Sequence, residues 1–105
     1  MDQISERRLE PRRPCRKPIM VSLAYGIHGR GSFIDISNSG LLLRSEELFR
    51  RINPKRLSLL MHHELRIMLP SLVIEGQVVR FDAASCCLAA SIRQVSNQPA
   101  WSGLA

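Results

Sequence analysis

The stretch Phe33-Ile34-Asp35-Ile36-Ser37-Asn38-Ser39-Gly40-Leu41-Leu42-Leu43-Arg44 decides how the rest of the chain is read. Successive side chains on a strand point to opposite faces. A strand over Phe33 to Ser37 therefore puts Ile34 and Ile36 toward a core, and Asp35 and Ser37 together on the other face. Asn38-Ser39-Gly40 breaks the alternation with turn-forming residues, and Leu41 to Arg44 resumes it as a further strand. Gly40 closes a D-x-S-x-x-G spacing, where a residue without Cβ permits positive φ and close approach of a ligand to the backbone.

The same period of two extends on both sides. Upstream, Ile19, Val21, Leu23 and Tyr25 alternate with Met20, Ser22 and Ala24, and Gly26 to Gly31 supplies the turn of a hairpin. Downstream, Ser45-Glu46-Glu47 followed by Leu48, Phe49 and Ile52 predicts a short helix with a serine cap, acids in its first turn and a stop at Asn53-Pro54. Residues 55–63 follow no clear period. Leu65, Ile67 and Leu69 mark the fourth strand, and Leu72 to Phe81 the fifth, with Gly76 at a bulge or bend. After a polar turn at Asp82 to Ser85, Cys86, Leu88, Ala90 and Ile92 share one face of the sixth. Regularly spaced short strands of this kind imply an all-β fold, a small six-stranded antiparallel β-barrel. It carries an extended basic N-terminal arm and one short helix. The divisions are an arm over 1–18, a barrel over 19–93 and a polar tail over 94–105, in which Pro99 and Gly103 argue against a helix.

Composition bounds the function. The chain has 105 residues, 15 Lys+Arg against 9 Asp+Glu and a net charge of +6, which suits one domain and excludes a large multi-domain enzyme. No apolar run exceeds Cys86 to Ala90, and Met1 to Arg8 lacks an apolar signal core, so a cytoplasmic protein without membrane insertion is expected. With only five aromatics (Tyr25, Phe33, Phe49, Phe81, Trp101) a base-stacking platform is poorly equipped, and neither DNA nor RNA is expected as a partner. Cys15, Cys86 and Cys87 give no disulfide framework, and no CxxC, HxxxH or HExxH spacing implies a metal. His28, His62 and His63 suit turns or strands, no Ser/His/Asp constellation, phosphate loop or carboxylate pair stands out, and neither catalytic residue nor cofactor is expected.

The charge is concentrated at the N-terminus. Within residues 1–17, Arg7, Arg8, Arg12, Arg13, Arg16 and Lys17 face only Asp2, Glu6 and Glu10, which accounts for half of the net +6. Pro11, Pro14 and Pro18 favour an extended arm. Arg8-Leu9-Glu10-Pro11-Arg12 forms an RxxxR, and a second begins at Arg12 and ends at Arg16. Guanine is a ligand whose edges these residues can read, although Asp-x-Ser before a Gly turn also serves as local turn chemistry. A carboxylate at Asp35 accepts from N1–H and the exocyclic amine, whereas a guanidinium donates as a fork to N7 and O6 or to phosphate.

RxxxR, 22 residues between Arg12 and Asp35, D-x-S-x-x-G and then Gly76-Gln77-Val78-Val79-Arg80 together resemble a PilZ domain, the bacterial receptor module for cyclic di-GMP, over residues 6–92. The resemblance implies a six-stranded barrel whose arm folds over the dinucleotide. It carries ligand contacts over to Arg8 and Arg12, with Glu6-Arg7 preceding them in support of that register, and to Asp35, Ser37 and Gly40. Arg7 adds the expectation of two stacked ligand molecules per chain, and an unidentified target protein completes the implied second-messenger pathway. The alternative within the family is an adaptor that does not bind the dinucleotide and works through Leu48, Phe49, Ile52 and residues 55–63.

Overall fold

A computed structural model of the chain describes residues 11–104. Its strands are β1 (Arg13–Pro14), β2 (Pro18–Ser22), β3 (His28–Ile36), β4 (Gly40–Arg44), β5 (Glu64–Leu69), β6 (Leu72–Asp82) and β7 (Cys87–Val95). All pairings are antiparallel and the spatial order is β1-β3-β2-β5-β6-β7-β4, with a further β3–β4 pairing. That last ladder closes β2 to β7 into a six-stranded barrel and leaves β1 outside it. Alternation produces the core. Phe33 stands opposite Leu43 and Leu43 opposite Leu88, while Val21 faces Ile67 and Ile67 faces Ile74. All six are buried. Each apolar side chain withdrawn from water in this way contributes roughly 1.5–3 kcal/mol.

The helix predicted after β4 is α1 (Glu46–Arg50). Its capping residue also attaches it to the barrel: Ser45 Oγ accepts from the Leu48 N–H at 3.0 Å and donates to the Arg30 carbonyl at 2.6 Å. The Arg30 N–H in turn donates to Glu47 Oε1 at 2.8 Å. This contact is the main reason that the Glu47 carboxyl lies below its ordinary value; burial opposes it, and the Arg51, Arg30 and Arg50 guanidinium groups reinforce it. Asn53 caps a 3-10 turn at Pro54–Arg56, which runs into α2 (Leu57–Leu60), so part of the stretch without a period is helical.

Several local expectations give way to the structure. The β2–β3 turn is earlier than the glycines suggested. Tyr25 (φ 63°) and Gly26 (φ 74°) take the left-handed conformations of the bend, and Gly29 and Gly31 belong to β3. Their missing side chains serve packing, because a Cβ on Gly29 would sit 2.7 Å from the Leu48 nitrogen and one on Gly31 2.8 Å from Ser45 Cβ. A register shift between Phe33 and Asp35 inserts Ile34, so Ile34 and Ile36 do not share a face; Phe33 and Ile36 are buried and Ile34 only partly. Cys86 (φ 58°) belongs to the turn, and the strand begins at Cys87. The bend expected at Gly76 is present as a register shift after Glu75, and a second shift between Val78 and Arg80 displaces Val79 outward.

The tail departs furthest from expectation. Asn97 accepts from the Ala100 N–H and Pro99 occupies the first turn, which starts α3 (Gln98–Ser102) and buries Trp101 in the core. Proline lacks an amide hydrogen, which does no harm in a first turn where that donor has no intrahelical partner. Among the described residues no helix is long and apolar enough to cross a membrane.

Candidate functional site

The site is built where the arm meets β3. β1 pairs with β3 through Arg13 opposite Ile36 and Pro14 opposite Asp35. Pro18 stands opposite Ser32, so β1 and β2 follow each other along one edge of the same strand. Between them, Cys15 N–H donates to the Ile34 carbonyl at 3.1 Å and Phe33 N–H to the Lys17 carbonyl at 3.1 Å. From Pro14 to Pro18 the arm advances four residues while β3 advances three, so the arm is a bulged continuation of β2 along that edge. Cys15 is the anchor. Its side chain is buried in the core and its Sγ lies 3.7 Å from the Leu104 carbonyl oxygen, beyond α3.

This ladder fixes Arg12 beside Asp35. Arg12 Nη1 donates to Asp35 Oδ1 at 2.6 Å, with the guanidinium side chain 59% and the carboxylate side chain 25% exposed. Two residues of the motifs that sequence spacing singled out are therefore in contact at the surface of the described residues. Ser37 behaves differently. The strand ends at Ile36, and Ser37, only 2% exposed, closes the following turn: its N–H donates to the Gly40 carbonyl at 2.8 Å and its Oγ to the same oxygen at 3.2 Å. Asp35 and Ser37 thus do not project together from one strand as the alternation predicted.

Gly40 opens β4 opposite Ser91, and its φ is not positive. What a side chain would disturb there is close approach, since a Cβ would stand 3.3 Å from the Ala90 carbonyl oxygen and 3.7 Å from Ser37 Oγ. The turn is locked on its far side by the Ile92 N–H, which donates to the Ser39 carbonyl at 2.8 Å. The other two named residues, Arg7 and Arg8, lie outside the described residues. Arg16 of the second RxxxR is exposed.

Sequence reasoning missed Cys15 and Pro14 as the elements that seat Arg12. The available signal was the alternation of exposed Pro14 and Arg16 around an apolar Cys15, which is too short to count as a strand. It also placed Leu48 and Ile52 on a possible surface patch, whereas both are buried and only Phe49 of that trio is partly accessible, edge-on to Phe81 at 5.9 Å between ring centres. Among the described residues no group of three or more His, Cys, Asp or Glu side chains is placed to hold a metal ion.

A family model described as PilZ domain matches residues 6–97. A search of curated proteins gave no match. The matched span takes in both arginine motifs, the whole barrel and the turn that bears Asp35, Ser37 and Gly40. With its closed six-stranded barrel and an arm brought back against the aspartate of D-x-S-x-x-G, the chain belongs to the PilZ domain family.

Proposed function

We propose that this protein is a non-catalytic receptor for cyclic di-GMP, with the ligand held between Arg8 and Arg12 of the arm and Asp35 of the barrel. PilZ domains are in general cyclic di-GMP receptor modules. The observation that carries the reading for this chain is the 2.6 Å contact between Arg12 and Asp35, two groups 23 positions apart whose chemistries suit the two edges of guanine. A ligand exchanges this internal pair for two intermolecular ones. The carboxylate accepts from N1–H and the exocyclic amine, and the freed guanidinium donates to N7 and O6 or to phosphate. Ser37 and Gly40 act by shape, holding the 37–40 turn so that the backbone beside Asp35 stays accessible. Ordering the arm upstream of the β1 ladder around the ligand costs conformational entropy that these contacts offset, and the ordered arm presents a new surface to a target protein.

Arg7 extends the proposal to stoichiometry. A third guanidinium beside the RxxxR can lie on a guanine face and neutralise further phosphate, which suits a stacked pair of ligands. Isothermal titration with cyclic di-GMP is expected to give two ligands per chain, falling to one in Arg7→Leu, with GMP and single-stranded RNA as non-binding controls. Cyclic di-AMP is expected to be rejected, since adenine lacks the donors that Asp35 requires, and Asp35→Ala to lose that discrimination. Absence of heat with cyclic di-GMP removes the receptor reading altogether. Equal binding of the two cyclic dinucleotides removes only the role of Asp35.

A further inference from the structure

We propose that the groove between the β2–β3 turn and the α1–α2 connection docks an acidic, apolar segment of a partner protein. Three large apolar side chains are exposed among the described residues, and two of them, Tyr25 (79%) and Leu59 (63%), line this one groove of about 640 Å³. Apart from Val79, the other large apolar side chains described are buried or only partly exposed, so the pairing of these two at one place calls for an occupant. Tyr25 is held outward. Its φ of 63° is a left-handed conformation that non-glycine residues rarely adopt, and its ring rests on His63 with centroids 5.8 Å apart. Leu59 projects from α2 beside Leu60, which turns inward and is buried. The floor is apolar.

The rim decides what kind of segment fits. Arg51 and Arg56 line the groove and no Asp or Glu does. Neither arginine belongs to the four ion pairs formed among the described residues. Arg51 is nevertheless fixed in place, with Nη1 donating to the His28 carbonyl at 2.9 Å. Exposed Arg50 and Lys55 adjoin the two in sequence and add positive charge, which Glu47, in electrostatic reach of Arg50 and Arg51, offsets only in part. The occupant must therefore offer apolar side chains to Tyr25 and Leu59 and carboxylates to Arg51 and Arg56. A second copy of this chain suits it poorly at a net charge of +6. RNA would bring phosphate but has one tyrosine to stack on and an aliphatic floor to desolvate. Tyr and Arg are also the residue types that dominate binding energy at protein interfaces. Neither Arg12 nor Asp35 lines the groove, so this docking does not rest on nucleotide recognition.

The test is selection of random 14-residue peptides displayed on phage against the immobilised protein, followed by fluorescence anisotropy of the enriched peptides made synthetically. Enrichment of acidic sequences bearing Leu, Phe or Trp is expected, with binding at least tenfold weaker to Leu59→Ser and to Arg56→Glu. Both positions are exposed, and an unchanged thermal midpoint verifies that each variant folds. Tyr25→Gly, which removes the ring while relieving the left-handed backbone, is expected to weaken binding by a similar factor. Failure to enrich peptides, enrichment without acidic residues, or equal binding to all three variants overturns the proposal. So does dodecauridine competing for the groove more strongly than the peptides, or self-association that Leu59→Ser abolishes.

Discussion

Replacing Arg12 by alanine should scarcely change the stability of the barrel while strongly weakening its hold on cyclic di-GMP. The Nη1 to Oδ1 distance of 2.6 Å is short, but the arginine is 59% exposed and the pair is formed at the surface. Exposed pairs are worth about 0.2–1 kcal/mol, because water and salt screen them and two long side chains must be held in place. The arm has firmer attachments, in the buried Cys15 and its hydrogen bond to Ile34. Arg12→Ala is therefore expected to cost about 0.5 kcal/mol, Asp35→Ala about the same, and the double variant little more than either alone. Trp101 is the single tryptophan and is buried, so its fluorescence reports unfolding in urea directly. Raising the salt should shrink the coupling further. A bidentate, charge-assisted contact with the ligand is worth about 1–3 kcal/mol, which predicts a loss of affinity of about fivefold to a hundredfold by calorimetry. A coupling above about 2 kcal/mol would show that the pair is an anchor of the fold and not an exposed surface contact. An unchanged dissociation constant in Arg12→Ala would refute its place in the site, and if Arg16→Ala carried the effect instead, the arginine motif would begin four residues later.

Three further outcomes follow from packing and charge. Gly29→Ala places a methyl group 2.7 Å from the Leu48 nitrogen and 3.0 Å from its Cα, backbone atoms that cannot rotate away, and is expected to cost about 3 kcal/mol in urea denaturation. Trp101→Ala should lose about 3–5 kcal/mol, followed by circular dichroism, whereas a solvated tail would make the substitution nearly silent. Because the Arg30 N–H holds the Glu47 carboxyl below 4.5, its contribution is present above that pH and is lost as the pH falls through the lower folded value; the urea midpoint of Glu47→Gln should accordingly decline less steeply below about pH 4.5 than that of the unmodified protein.

The barrel was legible where one face is wet and the other dry. In β5 the alternation of Leu65 and Ile67 with exposed Glu64 and Arg66 is complete, and the strand expected over Leu41 to Arg44 is β4, with Leu41 and Leu43 its buried members. It failed where apolar residues adjoin one another. Phe33, Ile34 and Ile36 are compatible with either phase, and only the β4 ladder shows that Ile34 is the inserted residue. Gly29 and Gly31 signal a turn in one dimension, and nothing local announces that α1 will lie across them. At the tail the cap, the first-turn proline and Trp101 all stand in the sequence, but a proline reads as a helix breaker except within the first turn after a cap, which is where Asn97 places Pro99. The candidate site was half legible. Spacing picked out Arg12 and Asp35, whereas their contact depends on a two-residue ladder too short to leave a periodic trace, and the burial of Ser37 depends on where β3 stops.

The course of the arm also bears on what this barrel can avoid. A closed barrel has no open side, but β1 hangs outside the ring, and its outer rim is a template on which a foreign strand could pair. Pro14 lies in β1 and Pro18 opens β2, so each of these two strands has one position with no amide hydrogen to offer. Exposed Arg12 and Arg16 flank that rim with like charge. The segment that brings Arg12 to Asp35 is thereby a poor seed for strand-to-strand aggregation, and its proline-punctuated edge resists stitching neighbouring molecules together at high protein concentration.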